Sequence, residues 1–318
     1  MRHQTIALIG GTGFIGRDLV NRLVKDGRHV RIATRRRAHA AALSMFPVEI
    51  LEVDVYDPVQ LAAFIHGADA VVNLAGILHS RRGEPYGPDF ARVHVELPKK
   101  IAAACVAEGV PRLLHMSALG ARSDGTSMYL RSKGDGELVV RSANGLHTTI
   151  FRPSVVFGPG DSFINTFAGL QRNFPMIPLA SSQARFQPVY VGDVAQAMLR
   201  TLDLGGSHGQ VYELGGPHIY TLEMLVRFAG EAIGQDRRII KLPRWAGRLQ
   251  ARLFELLPGP PILTRDNLDS MKTDNVLSAP MAAELNLTPA SLEAVAPEYL
   301  TDATPRGRFN TYRARAHR

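Results

Sequence analysis

The chain has 318 residues, enough for one large or two smaller domains with a sizeable core. Its 45% hydrophobic and 21% charged residues are ordinary for a globular protein. No apolar run reaches the roughly 18–20 residues of a membrane-spanning helix. A formal net charge of +8 points to an anionic partner. The single cysteine, Cys105, allows neither an internal disulfide nor a cysteine metal centre, and no metal site is expected.

Thr5-Ile-Ala-Leu-Ile-Gly-Gly-Thr-Gly-Phe-Ile-Gly16 organises the rest. The short apolar run Ile6 to Ile9 predicts a buried strand, stopped by glycine. Gly10, Gly13 and Gly16 follow at three-residue intervals, and Ile15, Leu19, Val20, Leu23 and Val24 follow with helical spacing. Strand, glycine turn and amphipathic helix are the context of a dinucleotide fingerprint. Gly10 permits the tight turn, Gly13 lets backbone N–H groups approach a pyrophosphate, and Gly16 lets helix and strand pack closely. Thr12, Phe14 and Ile15 belong to the same turn, whose anion would sit at the positive end of the helix dipole. A P-loop is excluded, because no Gly-Lys-Ser/Thr follows. The apolar run is also too short for a signal peptide, so a cytoplasmic protein is expected.

His29 to Thr34 predicts the second strand. An NAD-binding fingerprint carries an acid near its end, about 20 residues past the glycines, for the ribose 2′-hydroxyl. Here Thr34 is followed by Arg35, Arg36 and Arg37, with Arg17 a further candidate. Guanidinium groups at that place would attract a 2′-phosphate, so NADP(H) is expected in preference to NAD(H), with NAD(H) still accepted.

Strands are expected at Glu49 to Val53, closed by Asp54-Val55, at Ala70 to Gly76, at Arg112 to Ser117 and at His147 to Phe151. Helices are expected from Pro58 to His66 and from Glu96 to Glu108, and residues 78–89 read as a loop. This alternation predicts a parallel sheet with right-handed crossovers. Leu74, Ala75 and Gly76 at a strand's carboxyl end would let a cofactor lie against bare backbone. Tyr129 and Lys133, four apart on a helix, share one face. A nearby ammonium lowers a tyrosine pKa, which suits the pair to proton transfer at a carbonyl or alcohol.

Farther on, Asp193 is a candidate N-cap in Val189 to Val194, and Thr221 opens a helix to about Ile233. Leu242 to Leu257 is amphipathic, with Trp245, Leu249, Leu253, Phe254 and Leu257 on its apolar side. The expectation is a helix covering the substrate side; a partner or membrane surface is the alternative. The tail from Thr304 to Arg318 carries five arginines and no acid. A solvated tail is the ordinary reading, and docking on an acidic or phospholipid surface is the other.

The chain resembles the extended and atypical short-chain dehydrogenase/reductase superfamily over most of its length. The matching segments are Gly10 to Gly16, Asp54-Val55, Asn73-Leu-Ala-Gly76, Tyr129-x-x-x-Lys133, Arg152-Pro-x-x-Val-x-Gly-Pro159 and Val191-Gly-Asp-Val194. Within it, His115 to Ala121, Tyr129 to Gly134 and Pro261 to Asn267 are similar to the branch of the NADPH-binding accessory subunit of respiratory complex I and its bacterial relatives. That resemblance implies a bound nicotinamide nucleotide, a structural role in part of the branch and quinone biosynthesis in another. It adds Pro153 to the cofactor residues. If catalysis occurs, it makes Tyr129 the acid/base, Lys133 its tuner and ribose anchor, and Ser117 the group that orients substrate. The family's Ser/Thr falls at Ser117 or at Ala118, and His94 stands where an Asn is usual; both weaken a claim of epimerase or dehydratase chemistry.

The expected fold class is α/β, a Rossmann-type doubly wound parallel sheet with a smaller C-terminal substrate or interaction domain. Its dinucleotide-binding part covers residues 1–160 and about 188–216, its second part 161–187 and 217–303, and the basic tail 304–318. The expected partners are a nicotinamide nucleotide and a respiratory or quinone-linked complex or anionic membrane surface, at the inner face of the cytoplasmic membrane. No nucleic acid partner is expected. An active NADP-dependent reductase or dehydrogenase is the alternative function, and a nucleotide-sugar epimerase a more distant one.

Overall fold

The computed structural model describes residues 2–259 and 261–301, so the basic tail from Thr304 lies outside the described residues. The chain divides into two compact units. One runs to Pro153 and takes back Val191–Leu214 and Leu277–Leu287; the other comprises Ser154–Tyr190, Gly215–Val276 and, of the described residues that follow, 288–301.

The first unit is built on seven parallel strands: β1 (Thr5–Ile9), β2 (His29–Thr34), β3 (Glu49–Glu52), β4 (Ala70–Asn73), β5 (Arg112–Met116), β6 (His147–Pro153) and β7 (Val211–Leu214). Their order is β7-β6-β5-β4-β1-β2-β3. The direction of winding reverses between β1 and β4, the crevice where doubly wound sheets take ligands. Ile6 of β1 faces Val30 of β2 on one side and Ala70 of β4 on the other. Apolar residues run continuously through β1 and β4 because both faces are covered.

Alternation along β1 sends Ala7 and Ile9 to one face and Ile6 and Leu8 to the other. Ala7 and Ile9 pack with Leu61, Phe64 and Ile65 of α2 (Pro58–Ile65) and with Leu97, Ile101 and Cys105 of α3 (Leu97–Ala107). Cys105 is thus a fully buried core residue. Against the opposite face α1 (Phe14–Lys25) packs on α5 (Val191–Leu202), and Arg22 of α1 donates to Gln196 of α5 at 2.7 Å. Arg112 is 1% exposed, with Asp203 near enough to act on it electrostatically but no ion pair to it among the described residues. Its guanidinium donates to the carbonyls of Leu202, Thr201 and His147 at 3.2, 2.7 and 2.9 Å, closing the C-terminal end of α5. Burial draws its pKa down to about 10.

Two local expectations are corrected. Asp193 is the third residue of α5, not its N-cap, because buried Val191 and Gly192 already have helical backbone. The helix before β5 starts earlier than Glu96: Pro88–Phe90 leads into a π-helical turn, Ala91–Glu96, and then α3. Pro98 has no N–H for the carbonyl of His94 four residues back, which explains the loosened turn.

In the second unit, helices Phe163–Asn173, Leu222–Ala232 and Leu292–Thr301 enclose Phe157, Ile177, Leu179 and Phe186. Thr221 caps its helix as expected, its hydroxyl accepting from the Met224 N–H at 3.2 Å.

Candidate functional site

Gly10 has a φ of +83°, in the left-handed region that favours glycine. A Cβ there would also stand 2.9 Å from the backbone of Leu74 and Ala75, so the turn after β1 lies directly on the end of β4. At Gly16 a Cβ would stand 2.5 Å from the Gly11 carbonyl oxygen; this glycine seats α1 against the turn. Gly13 is the N-cap residue of α1 and supplies no side-chain cap, and the first turn of α1 carries no acid. The Gly13 N–H donates to the Gly10 carbonyl at 3.1 Å, and Thr12, Phe14 and Ile15 flank a helix start whose first N–H groups have no partner within the helix. Arg17 is drawn back, donating to the Thr12 carbonyl at 3.1 Å.

A cavity of about 650 Å³ is lined by Arg35, Asp54, Val55, Tyr56, Ile77 and Arg92 among others, with no residue of the glycine turn in its lining. Arg36 is exposed and is not among its lining residues, so the structure separates the two arginines. Thr34, where an acid would stand, turns its hydroxyl to the Arg36 carbonyl at 2.9 Å. Three carboxylates also line the cavity. Asp54 accepts from the Tyr56 N–H at 3.0 Å, Glu52 from the Arg37 N–H at 2.6 Å, and Asp89 from Arg81 at 3.1 Å. The Arg81 partnership holds Asp89 down to about 2. Arg35 has no such partner among the described residues.

Tyr129 and Lys133 lie on one helix, α4 (Met128–Arg141), begun by Ser127, whose hydroxyl accepts from the Leu130 N–H at 3.1 Å. Lys133 is 5% exposed and donates to the Met116 carbonyl at 3.1 Å. Burial lowers it from 10.5 to about 8. A Cβ at Gly76 would be 3.3 Å from its Nζ, so the small residues at the end of β4 open onto the lysine. The Tyr129 ring meets Phe90 and His94 edge-on at 5.9 and 5.6 Å. Its phenol is pushed up to about 12 by burial. Sequence reasoning expected the lysine to lower it; desolvation is the stronger effect here.

His94 is the residue whose role the sequence understated. Its Nε2 accepts from the Ile77 N–H at 3.1 Å, so Nδ1 carries the proton and faces the Ser132 hydroxyl at 2.8 Å. Ser132 in turn donates to the Tyr129 carbonyl at 2.8 Å. Burial, with Lys133 nearby, drives His94 down to about 2, and it is a fixed neutral donor–acceptor. It links the cavity, through Ile77, to the helix that carries Tyr129.

Ser117 has a partner within the protein. Its hydroxyl donates to Glu137, a carboxylate 3% exposed. Both Glu137 oxygens also take the Arg152 guanidinium, at 2.8 and 2.6 Å. The Ser117 proton is committed to Glu137, so the hydroxyl is not the free donor expected for a substrate oxygen. The next residue, Ala118, has none. Pro153 ends β6 and accepts from the Leu119 N–H at 2.9 Å. The structure thus brings together Gly10 with Leu74 and Ala75, Arg35 with Asp54 and Val55, and Tyr129 and Lys133 with His94 and Gly76.

The chain is similar to several known proteins. Subunit 9 of the mitochondrial NADH dehydrogenase (ubiquinone) 1 alpha subcomplex of Rattus norvegicus is 32% identical over 318 residues, covering 96% of this chain and 80% of that protein. A ceramide reductase of Caulobacter vibrioides is 32% identical over 241 residues, 75% of this chain and 73% of that one. In fold, the chain is similar to UDP-glucuronic acid 4-epimerase from Bacillus cereus, solved with UDP-glucuronic acid and NAD: TM-score 0.68, 17% identity, 95% of this chain and 100% of that one. Residues 6–215 match the pattern of one family from the strand before the glycine turn to the end of β7, and by that match the chain belongs to the NAD dependent epimerase/dehydratase family.

Proposed function

We propose that the chain holds a nicotinamide dinucleotide, NADPH in preference to NADH, as a retained group in a protein of the complex I accessory type. The single observation that carries the binding is the α1 N-terminus, uncapped and without an acid, behind a glycine turn pressed onto β4. The family's name supports a nicotinamide cofactor. Arg35 in the cavity, with Thr34 in place of an acid, supports the 2′-phosphate. Residues Gly10, Thr12, Gly13, Phe14, Ile15, Gly16, Arg35, Arg36, Asp54, Val55, Leu74, Ala75, Gly76, Tyr129, Lys133 and Pro153 would hold it.

The rat relative, a subunit of a respiratory assembly, supports a respiratory or quinone-linked partner at the inner face of the cytoplasmic membrane. The engagement of Ser117 by Glu137 supports a held rather than consumed nucleotide. A working reductase is the second reading, favoured by Tyr129 and Lys133 on one helix face and by likeness to the ceramide reductase. A bound nicotinamide would then supply hydride, and Tyr129 the proton, to a carbonyl substrate.

Mixing purified protein with excess labelled NADPH separates the readings. Exchange over hours identifies a retained nucleotide, and exchange in seconds a co-substrate. Absence of binding overturns both.

A further inference from the structure

We infer that the helix Arg244–Leu256 is a docking surface for an anionic phospholipid bilayer, lying in the plane of the headgroups. The inference is independent of what the nucleotide site does. The helix is built inside out. Its buried face is made of Gly247 and Ala251, and Gly247 sits so close to Ala180 that an added Cβ would lie 2.6 Å from the Ala180 methyl. Two residues away in either direction is about 200° round the helix, the side on which Trp245 and Leu249 lie. Trp245, Leu249, Leu253 and Leu256 follow one another at steps of four, four and three, with exposures of 72, 53, 56 and 76%. Leu257 and Ile262 extend the exposed apolar surface past the helix end.

Charge selects the occupant. Arg244, Arg248 and Arg252, also four apart, run along one flank of the stripe and are all exposed. Arg248 is shared with Asp269 at 3.1 Å, whereas Arg244 and Arg252 have no carboxylate partner among the described residues. The helix's one acid, Glu255, is bound by Arg265 at 2.6 Å. An apolar stripe edged by arginine, with tryptophan at its margin and no free acid, is the pattern of a helix lying at an anionic interface. Beside it, Ile240 and Met176 remain exposed on the parallel ribbon Met176–Leu179 with Arg238–Lys241. No described helix is long and apolar enough to cross a membrane, so the attachment is peripheral.

Trp245 is the only tryptophan, so it reports on this face alone. The full chain is mixed with vesicles of phosphatidylcholine, with or without equimolar phosphatidylglycerol. The expected result is sedimentation with the phosphatidylglycerol vesicles only, a blue shift of Trp245 emission, and its quenching by brominated acyl chains. Leu249→Glu with Leu253→Glu should lower partitioning more than about tenfold while leaving NADPH binding unchanged. Arg244→Ala with Arg252→Ala should lower it about five-fold per arginine and flatten its salt dependence. Both pairs alter exposed side chains, so loss of the fold is not expected to mimic the effect. Vesicle binding without a Trp245 shift, or unaffected by Leu249→Glu with Leu253→Glu, would place the contact elsewhere and overturn the inference. Absence of vesicle binding would do the same. So would self-association abolished by the leucine variants, which would make the stripe a protein–protein interface.

Discussion

Lys133→Met should make the nucleotide-free protein more stable near neutral pH while weakening NADPH binding. Burial lowers the lysine from 10.5 to about 8, which corresponds to about 3 kcal/mol against the charged form. Methionine fills similar volume and removes that penalty. It also leaves the Met116 carbonyl without its donor, a loss of about 1 kcal/mol. The net expectation is a variant about 2 kcal/mol more stable. Its pH dependence is diagnostic. Below about 8 the lysine is charged in both states and the penalty is present in full. Between about 8 and 10.5 the folded state releases a proton that the unfolded state keeps, so wild-type stability rises with pH. Above 10.5 the penalty is gone and the variant should be the less stable of the two. Denaturant unfolding of both proteins across this range gives the difference directly, since their other titrations cancel. A wild-type protein already the more stable near neutral pH, or a gap that does not change with pH, would refute the account of Lys133 as a strained buried cation.

Arg35→Ala with Arg36→Ala should weaken NADPH binding by about 1.5–3 kcal/mol, roughly ten- to a hundred-fold, and leave NADH nearly untouched. Equal losses by calorimetry would remove the 2′-phosphate assignment. If the protein turns over a carbonyl compound, Tyr129→Phe should abolish most of that rate with little change in nucleotide affinity; undiminished turnover would exclude the tyrosine. Gly136→Ala places a Cβ 2.1 Å from the His94 carbonyl oxygen and should destabilise by about 3 kcal/mol. Gly169→Ala, with open space around it in the helix Phe163–Asn173, should stabilise by about 0.5–1 kcal/mol. Matched unfolding curves for these two alanines would show that the packing at His94 had been misjudged. Ser117→Ala should cost about 1–3 kcal/mol by leaving Glu137 short of a partner, with no specific loss of turnover; a large kinetic loss at intact stability would restore Ser117 as a substrate donor.

The parts of this fold legible in the sequence are those governed by local rules. The glycine turn was readable because Gly10, Gly13 and Gly16 follow a short apolar strand, and backbone sterics leave few other residues for Gly10 and Gly16. Strand existence was readable from apolar runs bounded by turns. What escaped depends on contacts between distant segments. Nothing near Ser117 announces that Glu137 and Arg152 will claim its hydroxyl. The widened turn around His94 hides the helical period that would have extended the helix back to Pro88. The helix Arg244–Leu256 is the clearest case. Trp245, Leu249 and Leu253 define a stripe, and so do Gly247 and Ala251; periodicity gives both stripes without saying which faces inward. Close backbone approach chose the small residues for the buried face and left the large ones exposed.

The same burial that makes the Tyr129–Lys133 cluster look catalytic also limits it. Desolvation drives both groups toward their neutral forms, the phenol to about 12 and the ammonium to about 8. Below the lysine's value, the helix carries a protonated tyrosine and a charged lysine four residues apart, the state that the proposed roles require. His94, fixed as neutral, cannot take over as a second proton source, because protonating it requires a pH near 2. Ser117 cannot hold the substrate oxygen in place while its hydroxyl serves Glu137, and Ala118 offers nothing. Under the proposed function, the site offers residues for a nucleotide but has the Ser117 hydroxyl already engaged by Glu137. A substrate that supplied its own anchoring elsewhere in its structure would still react there; one that depended on the site to orient its carbonyl would not.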